Sequence, residues 1–331
     1  MTNPAPLCEI WRGPLAESTH MGHAVICDDT GQIVEAWGDP EKTILPRSSA
    51  KMLQALPLIE SGAAKAHGLT SEQLALACAS HNGAEIHTSR VNQWIADLGL
   101  TDDDFRCGAH LPFGKDDSEA MIRSGETPCQ VHNNCSGKHA GFLTLTKYMG
   151  WGPEYVDPDH PLQKAALQAF EDVTDETSPG FGIDGCSAPN FATSMHGMAR
   201  AMARFASATE GADARQTAAV QLWQAMVKHP ELVAGETRAC TELMRACTEP
   251  VALKTGAEGF FIAIIPGRKL GIAVKAADGA TRAAECTIAA LLVRLGLLDA
   301  EHPATRKVMN APIKNWRGIE TGRIIPAAAL R

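Results

Sequence analysis

Residues 254–279 read "KTGAEGFFIAIIPGRKLGIAVKAADG". The apolar run from Phe260 to Ile265 is far too short to span a bilayer, and its aromatic and β-branched residues mark a buried strand. Pro266-Gly267-Arg268-Lys269 supplies a turn, and the following run repeats the β pattern, so the stretch predicts an antiparallel hairpin. A matching signal lies near the other end of the chain. "HMGHAVICDDTGQIVEAWG" (residues 20–38) reads as two strands around a turn at Asp29-Thr30-Gly31.

Between these hairpins the pattern is helical. Thr70 and Gln73 make a capping box ahead of "LALACA", and "TSRVNQWIADLG" ends on a glycine after a helical period. "GKHAGFLTLTKYMG", "NFATSMHGMARAMARFA", "QTAAVQLWQAMVKH" and "AAECTIAALLVRLGLL" are further helices by periodicity. Strands at both ends with helices between them predict an α+β fold. One antiparallel sheet, built from both terminal regions, is flanked by helices and stands beside a helical lobe, in a single catalytic domain over residues 1–331.

Bulk properties narrow the function. The 331 residues carry a net charge of −8, which disfavours a nucleic-acid partner, and no polybasic block is present to hold an anionic membrane. Aromatic residues make up 5% of the chain, too few for a base-stacking platform. The start, "MTNPAPLCEIWRGP", lacks a secretory pattern, and ten scattered cysteines contain no C-x-x-C pair. The expectation is a protein of the reducing cytoplasm that acts on a small molecule, with mostly buried thiols and at most one metal-binding pair.

Working back from Lys254-Thr255-Gly256, two further motifs come into order. "LPRSSAKMLQALP" (residues 45–57) holds Ser48 and Lys51 three apart, so one helical turn would bring amine and hydroxyl to the same face. A lysine in a buried, cation-rich pocket binds its proton less tightly and can act as a base. Pro57 predicts a kink or early stop in that helix. "ASHNG" then supplies Ser80-His81-Asn82 in a glycine-containing loop, where the hydroxyl and the amide point the same way if the segment is extended. Each element has an ordinary explanation as a helix start, a polar turn or a strand-leading turn. In sequence they form the Ser-x-x-Lys, Ser-x-Asn, Lys-Thr-Gly order of serine acyl-transfer enzymes built like penicillin-binding proteins and β-lactamases.

The chain also resembles the rhizobial-type L-asparaginases, the family called asparaginase II or class 3, which share the serine β-lactamase/DD-peptidase-like fold. The matching stretches are "RGPLAESTHMGHAV", "LPRSSAKMLQALPL", "ASHNGAEIHT", "HNNCSGKHAGFL", "GIDGCSAPNF", "KTGAEGFF" and "PIKNWRGIETG", from residue 12 to about residue 322. The resemblance implies two Ser-Lys pairs, Ser48 with Lys51 and Ser80 with Lys254. It further implies Zn2+ held by Cys135, Lys138 and Cys186, and a homodimer. Donor chemistry alone nominates His139 in place of Lys138, because a lysine must be neutral to bind metal. Asp184 is a carboxylate able to receive an α-ammonium, and Arg47, His81, Asn82 and His139 complete the candidate substrate contacts.

Together these readings point to hydrolysis of the side-chain amide of L-asparagine to L-aspartate and ammonia. Ser48 attacks, Lys51 takes its proton, and Ser80, tuned by Lys254, protonates the leaving ammonia. The oxyanion is assigned to backbone N–H groups of Ser48 and of the strand after Gly256. The zinc would orient substrate or loops without making the nucleophile. Two alternatives stand beside this reading: a β-lactamase or penicillin-binding-type hydrolase, and a non-catalytic zinc protein on the same scaffold.

Overall fold

The computed structural model describes residues 3–331. The chain forms two compact units. One contains the chain up to Ser49, Thr193–Ser207 and Ala239–Arg331; the other contains Ala50–Ala192 and Ala208–Arg238.

The first unit is an antiparallel sheet of eight strands. These are β1 (Ala5–Arg12), β2 (Leu15–Cys27), β3 (Ile33–Trp37), β4 (Ala252–Gly256), β5 (Phe260–Ile265), β6 (Leu270–Ala276), β7 (Ala311–Lys314) and β8 (Glu320–Pro326). Their order is β7-β8-β1-β2-β6-β5-β4. The last residues of the long β2 also pair with β3, Ala24 opposite Trp37. The hairpin read from residues 254–279 is therefore real, with Leu270 opposite Ile265. So is the one at residues 20–38, where the Asp28 carboxylate accepts from the Thr30 and Gln32 N–H groups and closes the turn. Periodicity did not find β1, β7 and β8.

Every residue of β5 is buried, which requires cover on both sheet faces. Two helices pack on these strands: Met195–Ser207 and Thr281–Arg294. The first lies so close to β6 that a Cβ on Gly271 would sit 2.2 Å from the Ala203 nitrogen and 2.3 Å from the Ala199 oxygen. Only glycine permits that approach.

The second unit is helical. Its elements relevant to the site are α1 (Lys51–Glu60), α2 (Ser71–Ala77) and α3 (Ser136–Met149). Gln73 accepts from the Thr70 N–H at 2.8 Å, as the capping box predicts. α1 does not stop at Pro57 but runs one turn further, to Glu60, because Ser61 and Gly62 still donate to the Pro57 and Ile59 carbonyls. Gly137 brings α3 against α2, since a Cβ there would lie 2.4 Å from the Leu76 oxygen. Among the described residues, no helix is long and apolar enough to cross a membrane.

Candidate active site

Arg47–Ala50 form a 3-10 turn ahead of α1, and its first three residues belong to the sheet unit. Arg47 has φ 51°, a left-handed conformation that costs a non-glycine residue about 1 kcal/mol or more. Ser48 follows it, half-buried. Ser49 is buried, and its hydroxyl donates to the Lys254 carbonyl at 2.9 Å. A Cβ on Gly256 would come 2.6 Å from the Pro46 oxygen and 3.0 Å from Ser49 Oγ. The glycine of Lys-Thr-Gly thus lets the end of β4 seat the turn that carries Ser48. Lys254 is wholly buried and donates through Nζ to the Thr255 carbonyl at 2.7 Å.

In the helical unit, Lys51 is 1% exposed, so it is not a solvated helix start. Its Nζ donates to the Ala79 carbonyl, to Ser80 Oγ at 3.0 Å and to Cys135 Sγ at 3.1 Å. The lysine of the first motif therefore reaches the serine of the second. Ser80 itself is held by its N–H, which donates to the Val233 carbonyl at 2.9 Å.

His81 is enclosed by the Ser80 loop and its neighbours. It is fully buried, its Nδ1 accepts from the Gly83 N–H, and its Nε2 donates to Ser136 Oγ, which in turn donates to the Val131 carbonyl. Its ring stacks on His87 with centroids 4.8 Å apart. Burial, with His87 and Lys51 adding to it, holds the proton affinity of His81 well below the usual range. Both ring nitrogens of His81, expected to contact substrate, hold the Ser80 loop in place. Asn82 is also occupied: Arg238 donates to its Oδ1 at 2.9 Å, and its amide faces the Glu236 carbonyl.

Three of the expected metal ligands converge. Cys135 and Cys186 are buried and not joined as a disulfide, and the Cys135 thiol donates to Asn134 Oδ1 at 3.3 Å. The nearby Cys135 thiol lowers the proton affinity of Cys186 well below the usual thiol range, assisted by the Lys138 charge. The proximity of Cys186, with burial, pushes Cys135 up. Burial would strip Lys138 of its proton, but the Cys186 and Cys135 sulfurs and Asp184 outweigh it and raise its affinity. Lys138 Nζ lies 3.1 Å from Cys186 Sγ. Asp184 and Cys186 both sit in the turn between the short strands Phe181–Ile183 and Pro189–Phe191.

His139 is wholly buried beside this cluster. Its Nδ1 pairs with the Tyr155 hydroxyl at 2.9 Å, while Nε2 faces Cys186 without a well-formed hydrogen bond. Burial lowers its proton affinity to about 4. Among the described residues no three His, Cys, Asp or Glu side chains form a cation cage. The set with two thiols and a lysine nitrogen nonetheless suits a soft cation, and the unpartnered His139 nitrogen adds a polar wall.

The profile of the L-asparaginase II family matches residues 8–326. The chain belongs to that family. Membership places it among amidohydrolases. No curated protein matches it. Among solved structures, it is similar to Mglu in its native form, with 13% identity and a TM-score of 0.51, over 85% of this chain and 66% of that one. At this identity the likeness speaks for the fold alone. The chain thus spans about two thirds of the length of that neighbour. Mglu in its tris and glutamate form (14%, TM-score 0.48, 90% of this chain and 63% of that one) also matches. So does a Bacteroides dorei protein described as a candidate β-lactamase (9%, TM-score 0.42, 77% and 84%).

Sequence reasoning missed Ser136, Tyr155 and Arg238. Tyr155 carries no motif, and Ser136 sits inside "NNCSGKHAG", whose cysteine and lysine drew the reading first. Arg238 lies far along the chain, and only folding brings it to Asn82.

Proposed function

We propose that this protein is an L-asparaginase that hydrolyses the side-chain amide of L-asparagine to L-aspartate and ammonia. The observation that carries the reading is the buried Lys51–Ser80 contact beside Cys135, in a chain of the L-asparaginase II family. Ser48 attacks the amide carbon, and Lys51, in its amine form, accepts the hydroxyl proton. Ser80 gives its proton to the departing nitrogen, which leaves as ammonia, and recovers one from Lys51 across their 3.0 Å contact. Lys254 is assigned to Ser80 by the family pattern. Water then attacks the acyl ester, its proton returns to Ser48, and aspartate leaves.

Asp184, Arg47 and the unpartnered nitrogen of His139 are assigned to substrate contact. Zinc, when bound, would be held by Cys135, Lys138 and Cys186 and would supply a fixed positive charge that orients substrate. Ten cysteines, none of them in a disulfide, support a reducing, cytoplasmic setting. The homodimer rests on the family resemblance alone.

The decisive experiment measures ammonia release from L-asparagine and L-glutamine, and ring opening of a β-lactam, by wild type, Ser48→Ala and Ser80→Ala. Asparagine turnover that vanishes in Ser48→Ala is expected. Turnover of the β-lactam alone would overturn the reading. Ser48→Ala activity near wild type would move the nucleophile to Ser80.

A further inference from the structure

Arg238 is half-buried in the helical unit, and the chain is arranged to present it to Asn82, two residues after Ser80. The segment before it runs along the Ser80 loop: the Val233 carbonyl accepts from the Ser80 N–H at 2.9 Å. Two residues on, Gly235 has φ 125°, and a Cβ there would lie 2.4 Å from Asn82 Nδ2. Thr237, immediately before the arginine, has φ 66°, a left-handed conformation that non-glycine residues seldom take. The segment is therefore bent at two positions, and the bend delivers the guanidinium to Asn82 Oδ1 at 2.9 Å.

The partner of this arginine is a neutral amide. A guanidinium has five donors and keeps its charge at any working pH. Asn82 Oδ1 takes one donor and offers no negative charge. Among the described residues, Arg238 has no carboxylate within ion-pair distance. Several other arginines meet acidic partners, as Arg90 meets Glu72 and Arg215 meets Glu60, while Arg282 meets His20. A half-buried cation fixed by a neutral amide is preorganised for an anion that arrives from outside, and a planar carboxylate fits its fork.

We infer that Arg238 is the anchor of the substrate's α-carboxylate, with Asn82 as the positioning residue that aims it. The inference rests on the amidohydrolase reading above and assigns that site its specificity for an amino acid over a simple amide. Asn82 thereby acts through Arg238 and not by touching the reacting amide.

The test compares L-asparagine with β-alaninamide, which keeps the amide and the ammonium but lacks the carboxylate. In Arg238→Gln, kcat/KM for asparagine should fall about 100-fold, from the loss of a charge-assisted pair. For β-alaninamide the change should stay within about three-fold, so the discrimination between the substrates collapses. Arg238→Lys should retain part of it, and Asn82→Ala should raise KM for asparagine more than it lowers kcat. Equal losses on both substrates, or none on either, overturn the inference. If wild type turns over neither amide, the asparaginase reading fails by itself. Calorimetric binding of L-aspartate then decides: binding by wild type that is lost in Arg238→Gln upholds the anchor, and equal or absent binding removes it.

Discussion

Replacing Lys51 with methionine separates chemistry from stability. Methionine has similar length and volume, so α1 keeps its packing, but the Ala79 carbonyl, Ser80 and Cys135 lose a donor. Leaving the buried Ala79 carbonyl unmatched costs about 1–3 kcal/mol. In the opposite direction, the folded state no longer has to desolvate a polar amine that is 1% exposed, a cost of about 1–3 kcal/mol. The two effects leave stability within about 2 kcal/mol of wild type. Catalysis has no such compensation. Losing a positioned base removes about 100- to 10,000-fold in rate, or roughly 2.7–5.4 kcal/mol of barrier. Steady-state ammonia release, measured beside urea unfolding on the same preparations, therefore shows a large loss of kcat with a nearly unmoved midpoint. Lys51→Arg should be almost as damaging, since a guanidinium does not deprotonate. Activity within about ten-fold of wild type in the methionine variant would refute the base assignment.

Three further outcomes are expected. Gly256→Ala places a Cβ against the Pro46 oxygen and Ser49, shifting the Ser48 turn, so kcat should drop about 100-fold while the fold persists; unchanged kinetics would show that the turn's position is irrelevant. Burial depresses the proton affinities of His81 and His87, so the unfolded chain binds protons more readily than the folded one. Stability is thus full above about pH 6.5 and declines as pH falls below it, which urea midpoints across pH read directly, and His87→Gln should flatten the slope. Cys135→Ser or Cys186→Ser should lower zinc stoichiometry by elemental analysis and raise KM more than it lowers kcat; a kcat lost in proportion to zinc would instead make the metal part of bond-making.

Much of the fold could be read from local pattern. The β5–β6 hairpin is legible because a six-residue apolar run, a Pro-Gly turn and a second β run need no distant partner to be recognised. α2 and α3 declare themselves by a capping box and by period, for the same local reason. β1, β7 and β8 did not, since their alternation is interrupted by bulges and by half-exposed edges whose pairing is set across the chain, Cys8 opposite Pro326.

For the site, sequence alone determined which residue types are present and in what order: two serines, two lysines, two cysteines with a lysine, and a glycine two residues after the last lysine. Tertiary structure decided which of them meet. It turned Lys51 toward Ser80 and Cys135, sealed His81 between Ser136 and Gly83, gave Asn82 to Arg238, and seated Gly256 against the Ser48 turn. Spacing along a chain reports only neighbours within a turn or a strand. A hydrogen bond between residues 156 positions apart, such as Arg238 to Asn82, depends on how helices and loops pack, and packing is a property of the whole core.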